Sequence, residues 1–160
     1  MTAMAESATS WQENLDRLGV RLPAVAAPVA AYIPAVRTGS LVYTSGQLPF
    51  VDGELSAIGK VGAEVSTETA QEAARLCALN ALAAVHDLIS LDEVVRIVKV
   101  VGFVASAPGY TDQPIVINGA SELLGEVFGE AGVHARSAVG VAELPKNAPV
   151  EVELIVEVRG

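Results

Sequence analysis

HARSAVGVAELPKNAPVEVELIVEV, residues 134–158, is the stretch on which the reading of this chain turns. Two apolar runs with the composition of strands flank a break bounded by Pro145 and Pro149. The first run carries Arg136 near its start, and the second carries Glu151, Glu153 and Glu157. Side chains two residues apart on a strand share a face. Val152, Leu154, Val156 and Val158 therefore take one side and the three glutamates the other. A hairpin-like return across the break could bring Arg136 beside Glu151, which would put an arginine and a carboxylate at the end of a sheet.

Outward from that stretch, 160 residues suit a single domain. Hydrophobic residues make up 51% and charged residues only 18%, which is little charge to cover a monomer. The balance favours an oligomer that hides flat apolar surface. A net charge of -9 repels polyanions, so DNA is excluded as a partner and RNA is disfavoured. The one cysteine, Cys77, sits in an apolar helical run and reads as an inert buried thiol. His86 and His134 lie too far apart in sequence for a Cys/His metal spacing. The opening MTAMAESATS lacks the pattern of a signal peptide, and no uninterrupted apolar stretch has the length of a membrane span. The expected setting is cytoplasmic.

In chain order, residues 1–9 are small and polar and are expected to fray. Ser10 with Glu13 has the spacing of a capping box, Trp11, Leu15 and Leu18 form an apolar helical stripe, and Gly19 suits the position after the helix. Residues 23–32, rich in alanine and proline, read as an irregular lead into a first strand at 41–45, after a turn at Thr38-Gly39-Ser40. Asp52-Gly53 marks a second turn. Ser66 or Thr67 caps a long helix ending near residues 86–89. Its stripe is mostly alanine, so it should lie close against a flat surface. Residues 94–107 are the strongest strand, interrupted by Lys99, and a second long helix runs from 112–114 to Phe128. This order fits α+β or α/β, with both long helices on one face of one sheet. The other face is left to solvent or to another chain.

Arg136 can hold a planar carboxylate through two parallel hydrogen bonds, or it can be a structural partner of Glu151 or Glu153. Glu151 can serve as a general base, or it can be an ordinary outward strand position. Asn118-Gly119-Ala120-Ser121 can present an amide in a pocket or simply form part of a helix. Ser45-Gly46-Gln47 follows a strand and can expose backbone donors. It lacks the G-x-S-x-G frame, and the glycines from Gly59 lack the P-loop frame.

With YTSGQLP at 43–49 and HARSAVGVAELPKNAPVEVEL at 134–154, the chain resembles the RidA (YjgF/YER057c/UK114) family over nearly its whole length, in a longer branch. The resemblance implies an α+β, chorismate-mutase-like fold. One mixed sheet carries two main helices on one face, and the sheets of a homotrimer pack into a barrel with clefts between subunits. It implies a domain over 23–160 behind an N-terminal extension, 1–22, with a short helix. The implied activity is cofactor-free hydrolysis of small 2-imino or 2-enamino acids, such as 2-aminoacrylate, to 2-keto acids and ammonia. Arg136 then binds the substrate carboxylate and Glu151 assists the water. Tyr32, Ser45, Gly46 and Asn118 line the cleft. Ala138 departs from a cysteine common in the family, and residues 107–113 form an insertion. The same arginine would also serve a non-catalytic binding or regulatory protein for a small carboxylate. Ribonuclease action finds no paired histidines and no basic footprint. Chorismate mutase activity has only the shared fold behind it.

Overall fold

In the computed structural model, which describes residues 9–25 and 30–160, five strands form a mixed sheet and both long helices lie on one side of it. The expectation of a frayed start therefore falls, except for Thr9, outside the described residues, as does the middle of the 23–32 path. The elements run α1 (Trp11–Leu18), β1 (Ala35–Thr38), β2 (Leu41–Thr44), β3 (Phe50–Val51), β4 (Glu54–Leu55), α2 (Thr67–Leu88), β5 (Val94–Ala105), α3 (Gln113–Phe128), β6 (Ala135–Val141) and β7 (Val150–Val158). The sheet order is β1-β2-β7-β5-β6, and β3 and β4 form a separate hairpin.

Local chemistry accounts for the ends of the elements. The Ser10 hydroxyl accepts the Glu13 N–H at 3.1 Å, and Gly19, at φ 69°, closes α1 in the left-handed region. Ser66 caps α2 in the same way through the N–H of Thr69. The turn at Thr38-Gly39-Ser40 has strands on both sides, because β1 pairs antiparallel with β2. β1 gave no strand signal in the sequence: only Ala35 of its four residues is buried, so alternation is weak.

β5 is the centre of the sheet. It pairs antiparallel with β7 and parallel with β6. Its register against β7 shifts between Ile97 and Lys99, where Val98 is the extra residue of a bulge, and Lys99 itself pairs with Ile155 and does not break the strand. One extra residue there puts Ile97 and Val100, three apart, on the same buried side. α3 bridges β5 and β6, and a helix is the usual connection between parallel neighbours.

α2 lies against β7 and α3. Its Ala70, Ala73, Ala74, Ala81 and Ala84 are buried, and such short side chains permit close approach. At Gly119 of α3 an added Cβ would stand 2.0 Å from the Gln71 carbonyl oxygen, so only glycine fits between the two helices. Asn80, the amide that interrupts the α2 stripe, is buried and donates to the carbonyls of Leu48 and Phe50 at 3.0 and 3.1 Å. α1 packs on α3 and adds Leu15 to the common core. Asn14 of α1 donates to the Val127 carbonyl at 2.8 Å.

The opposite sheet face is uncovered by any described element of this chain. Register puts Val36, Tyr43, Ile155, Val101, Phe103 and Val139 on it. Tyr43 and Val139 remain 43% and 44% exposed. No helix among the described residues is long and apolar enough to cross a membrane.

Candidate functional site

Arg136 stands opposite Val100 on β5, which stands opposite Leu154 on β7. Both neighbours are buried, so Arg136 points to the helix-covered side, at the edge strand under α3. Asn118 and Ser121 are three apart on α3 and share one face. The Nη1 of Arg136 donates to Asn118 Oδ1 at 2.8 Å and to Ser121 Oγ at 3.2 Å, and Nη2 donates weakly to the Pro114 carbonyl at 3.4 Å. A guanidinium has five N–H donors. The Nε hydrogen and one Nη2 hydrogen have no partner among the described residues, and together they make a fork that fits a carboxylate. The ion pairs among the described residues are Lys60–Glu143 and Arg75–Glu126, so Arg136 has no carboxylate partner.

Glu151 stands opposite Phe103, on the open face, and the expected hairpin-like return of Arg136 to Glu151 does not occur. The two last strands do not pair with each other: β5 lies between them, and the two side chains project from opposite faces. The cause is α3, which carries the chain across the sheet so that β6 adds to the free edge of β5.

Glu151 instead meets the loop after β2. A Cβ on Gly46 would fall 2.0 Å from Glu151 Oε1, so the carboxylate rests on the bare glycine backbone. The loop is pinned there by Gln47, whose N–H and carbonyl exchange bonds with Val152 at 2.8 and 3.0 Å. Ser45 donates its hydroxyl to the Ile33 carbonyl at 2.6 Å, which places the segment next to Tyr32 beside the same loop. Tyr32 itself is 44% exposed. No donor among the described residues bonds the Glu151 carboxylate. Half-burial, and then the neighbouring Glu153, push its pKa above the ordinary carboxylate value.

The sequence-predicted residues thus fall into two groups. Tyr32, Ser45, Gly46 and Glu151 gather at β2 and β7, while Arg136 and Asn118 gather at α3 and β6. Sequence reasoning missed the roles of Ser121 and His134. His134 Nε2 lies 2.9 Å from Ser121 Oγ, and its Nδ1 lies 2.6 Å from the Gly132 carbonyl oxygen. The available signals were Ser121 one helical turn from Asn118, and His134 two residues before Arg136. Ala138 is half-buried and packs against the core. In the insertion the Tyr110 hydroxyl bonds Thr67 at 2.7 Å and its ring fills the space beside Gly62, while Gln113 at its other end lies over Gly140 of β6, next to Pro114, whose carbonyl faces Arg136.

No group of three or more metal-ligating side chains occurs among the described residues. A cavity of about 770 Å³ lies between residues 19–25, the β3–β4 turn and α2, lined by Val20, Phe50, Leu76 and Leu79 among others. None of Tyr32, Ser45, Gly46, Asn118, Arg136 and Glu151 lines it.

The fold is thus an α+β scaffold with helices on one sheet face, the other face open, and an arginine at the sheet edge whose free N–H pair matches the geometry of a carboxylate. The chain belongs to the YjgF/chorismate mutase-like, putative endoribonuclease family, whose model matches residues 12–158. It is 47% identical to Protein TCP17 of Trypanosoma cruzi over 90% of this chain and 91% of that one. It is 32% identical to the 2-iminobutanoate/2-iminopropanoate deaminase of Dermatophagoides farinae, over 86% and 93% of the two chains. Among solved structures, Atu1372 of Agrobacterium tumefaciens, of unknown function, superposes with a TM-score of 0.85 at 45% identity, covering 92% of this chain and 91% of that one. E. coli TdcF with bound serine superposes at 0.59 with 31% identity, covering 86% and 94%.

Proposed function

We propose that this protein hydrolyses small 2-imino or 2-enamino acids to 2-keto acids and ammonia, in clefts between the subunits of a homotrimer in the cytoplasm. The observation that carries the reading is the fork left open on Arg136 by Asn118 and Ser121. The deaminase relative and the serine-bound structure point the same way. The open apolar face supports the assembly, since packing it against other copies removes from water the valines and aromatics that no described element covers.

The chemistry asks little of the protein. A protonated imine carbon is already electrophilic, so catalysis is mainly positioning. Arg136 holds the carboxylate and so fixes C2. Glu151, supplied by a neighbouring copy, takes a proton from a water whose oxygen bonds to C2. The C–N bond of the resulting carbinolamine then breaks. Glu151 returns its proton to nitrogen, which leaves as ammonia; the hydroxyl proton passes to the freed Glu151 carboxylate and from there to the ammonia, so that keto acid and ammonium are the products. A carboxyl with a raised pKa suits both halves of that transfer. Tyr32, Ser45 and Gly46 line the Glu151 side, and Asn118 keeps Arg136 in place. The net charge of -9 argues against nucleic-acid substrates, whatever the family's description suggests.

The test is release of keto acid and ammonia from freshly generated 2-imino acids, with Arg136→Ala beside wild type. Losing two charge-assisted bonds should lower kcat/KM by roughly 100-fold, about 3 kcal/mol, with the oligomer intact. Undiminished turnover by Arg136→Ala would sink the mechanism. Keto-acid binding without hydrolysis of any imine would favour a carboxylate-binding regulatory role for the same fork.

A further inference from the structure

We infer that His134 is a positioning residue that acts through Ser121 to set the direction of the Arg136 fork. The role rests on reading Arg136 as the carboxylate clamp. The Gly132 carbonyl oxygen can only accept, and it lies 2.6 Å from His134 Nδ1. In the neutral ring the proton is therefore on Nδ1, and Nε2 carries the lone pair. Ser121 Oγ, 2.9 Å from Nε2, must be the donor in that contact. Having turned its hydrogen to His134, Ser121 presents lone pairs toward Arg136 Nη1, 3.2 Å away. Asn118 Oδ1 takes the other Nη1 hydrogen at 2.8 Å. Both Nη1 hydrogens are then held, the guanidinium plane is fixed, and the Nε–Nη2 edge is what remains for a ligand. With the proton on Nε2 instead, two donors would converge on one hydroxyl and the Ser121 hydrogen would compete for the space near Arg136.

The other histidine of the chain supplies an internal contrast. His86 Nδ1 accepts the Leu91 N–H at 3.2 Å, so its ring proton is on Nε2. The chain's two histidines hold opposite tautomers, and only the one beside Arg136 carries its proton on Nδ1.

Two measurements test this on the full-length protein. The first is imidazole nitrogen NMR on the neutral rings, with His134→Gln used for assignment. It should show Nδ1–H for His134 and Nε2–H for His86. An Nε2–H tautomer at His134 overturns the proposal. The second compares His134→Gln, His134→Asn and His134→Ala in imine hydrolysis and in pyruvate binding by calorimetry. Glutamine places an acceptor near the Nε2 position and should behave within about twofold of wild type. Asparagine reaches only the Nδ1 position, so it and alanine should raise KM and the pyruvate Kd roughly 5- to 10-fold, the scale of one lost hydrogen bond, with kcat little changed. Equal losses in glutamine and asparagine, or a loss confined to kcat, overturn the role while leaving the deaminase reading intact. A wild type that hydrolyses no imine removes the deaminase reading, and the tautomer and the pyruvate series still decide the role of His134. Wild type that binds no keto acid overturns clamp and role together.

Discussion

On the helix-covered face Arg136 has both Nη1 hydrogens engaged by α3, whereas on the open face Glu151 has only a bare glycine backbone against it and no donor on its carboxylate among the described residues. The first group is assembled from chain neighbours: Asn118 and Arg136 are 18 residues apart and joined by one helix-to-strand connection. The second depends on pairing of the loop after β2 with β7, between Gln47 and Val152. In the first group the arginine is held by its own chain, and in the second the half-buried carboxylate has no donor among the described residues. Strands stand about 4.8 Å apart, and β6 is separated from β7 by β5, so no side-chain motion joins the two groups through the sheet. On the proposed mechanism, therefore, Arg136 would come from one copy and Glu151 from another.

The strongest way to break that comparison is to mix two dead proteins. Arg136→Ala and Glu151→Gln homo-oligomers should each be nearly inactive. Unfolded and refolded together, they should recover roughly a quarter of wild-type turnover, because a heterologous interface then pairs an intact Arg136 with an intact Glu151 at about one site in four. Absence of recovery, with mixed oligomers demonstrated by mass, would place both groups of one site in the same copy.

Gly46→Ala tests the open-face group alone. The new Cβ cannot share space with Glu151 Oε1, so the carboxylate or the loop must move. Overpacking of this kind costs about 1–3 kcal/mol, and we expect at least a tenfold fall in kcat with a smaller change in KM. A fall in KM-dependent binding alone would mean that Gly46 serves the carboxylate side.

The smallest expected effect is on stability. The folded protein holds the Glu151 pKa above its unfolded value, so between the two values the native state binds more protons. Stability from this group is therefore full below the ordinary carboxylate range and is lost as pH rises through the raised value. Glu151→Gln should raise Tm at neutral pH by roughly 1–3 °C and flatten its fall with pH above the acidic range, even as activity disappears. A lower Tm at neutral pH would show that the ionised carboxylate is stabilised by a contact absent from the single chain.

What the sequence by itself determined is whatever local periodicity and capping encode. The spacing of Trp11, Leu15 and Leu18, the alanine stripe of α2 and the alternation of β7 each name an element and its buried side. The family motifs named Arg136, Asn118, Gly46 and Glu151 as members of a site. Strand order carried no such local mark. Whether β6 pairs with β7 or with β5 depends on the crossover of α3 and on contacts made far along the chain. The strand–helix–strand pattern before β7 was the one available hint of a parallel pair. Tertiary structure alone put Arg136 under α3, turned Glu151 to the other face against Gly46, and brought Ser121 and His134 to the arginine. A strand's faces follow from its own alternation, but its neighbours are chosen by the whole fold.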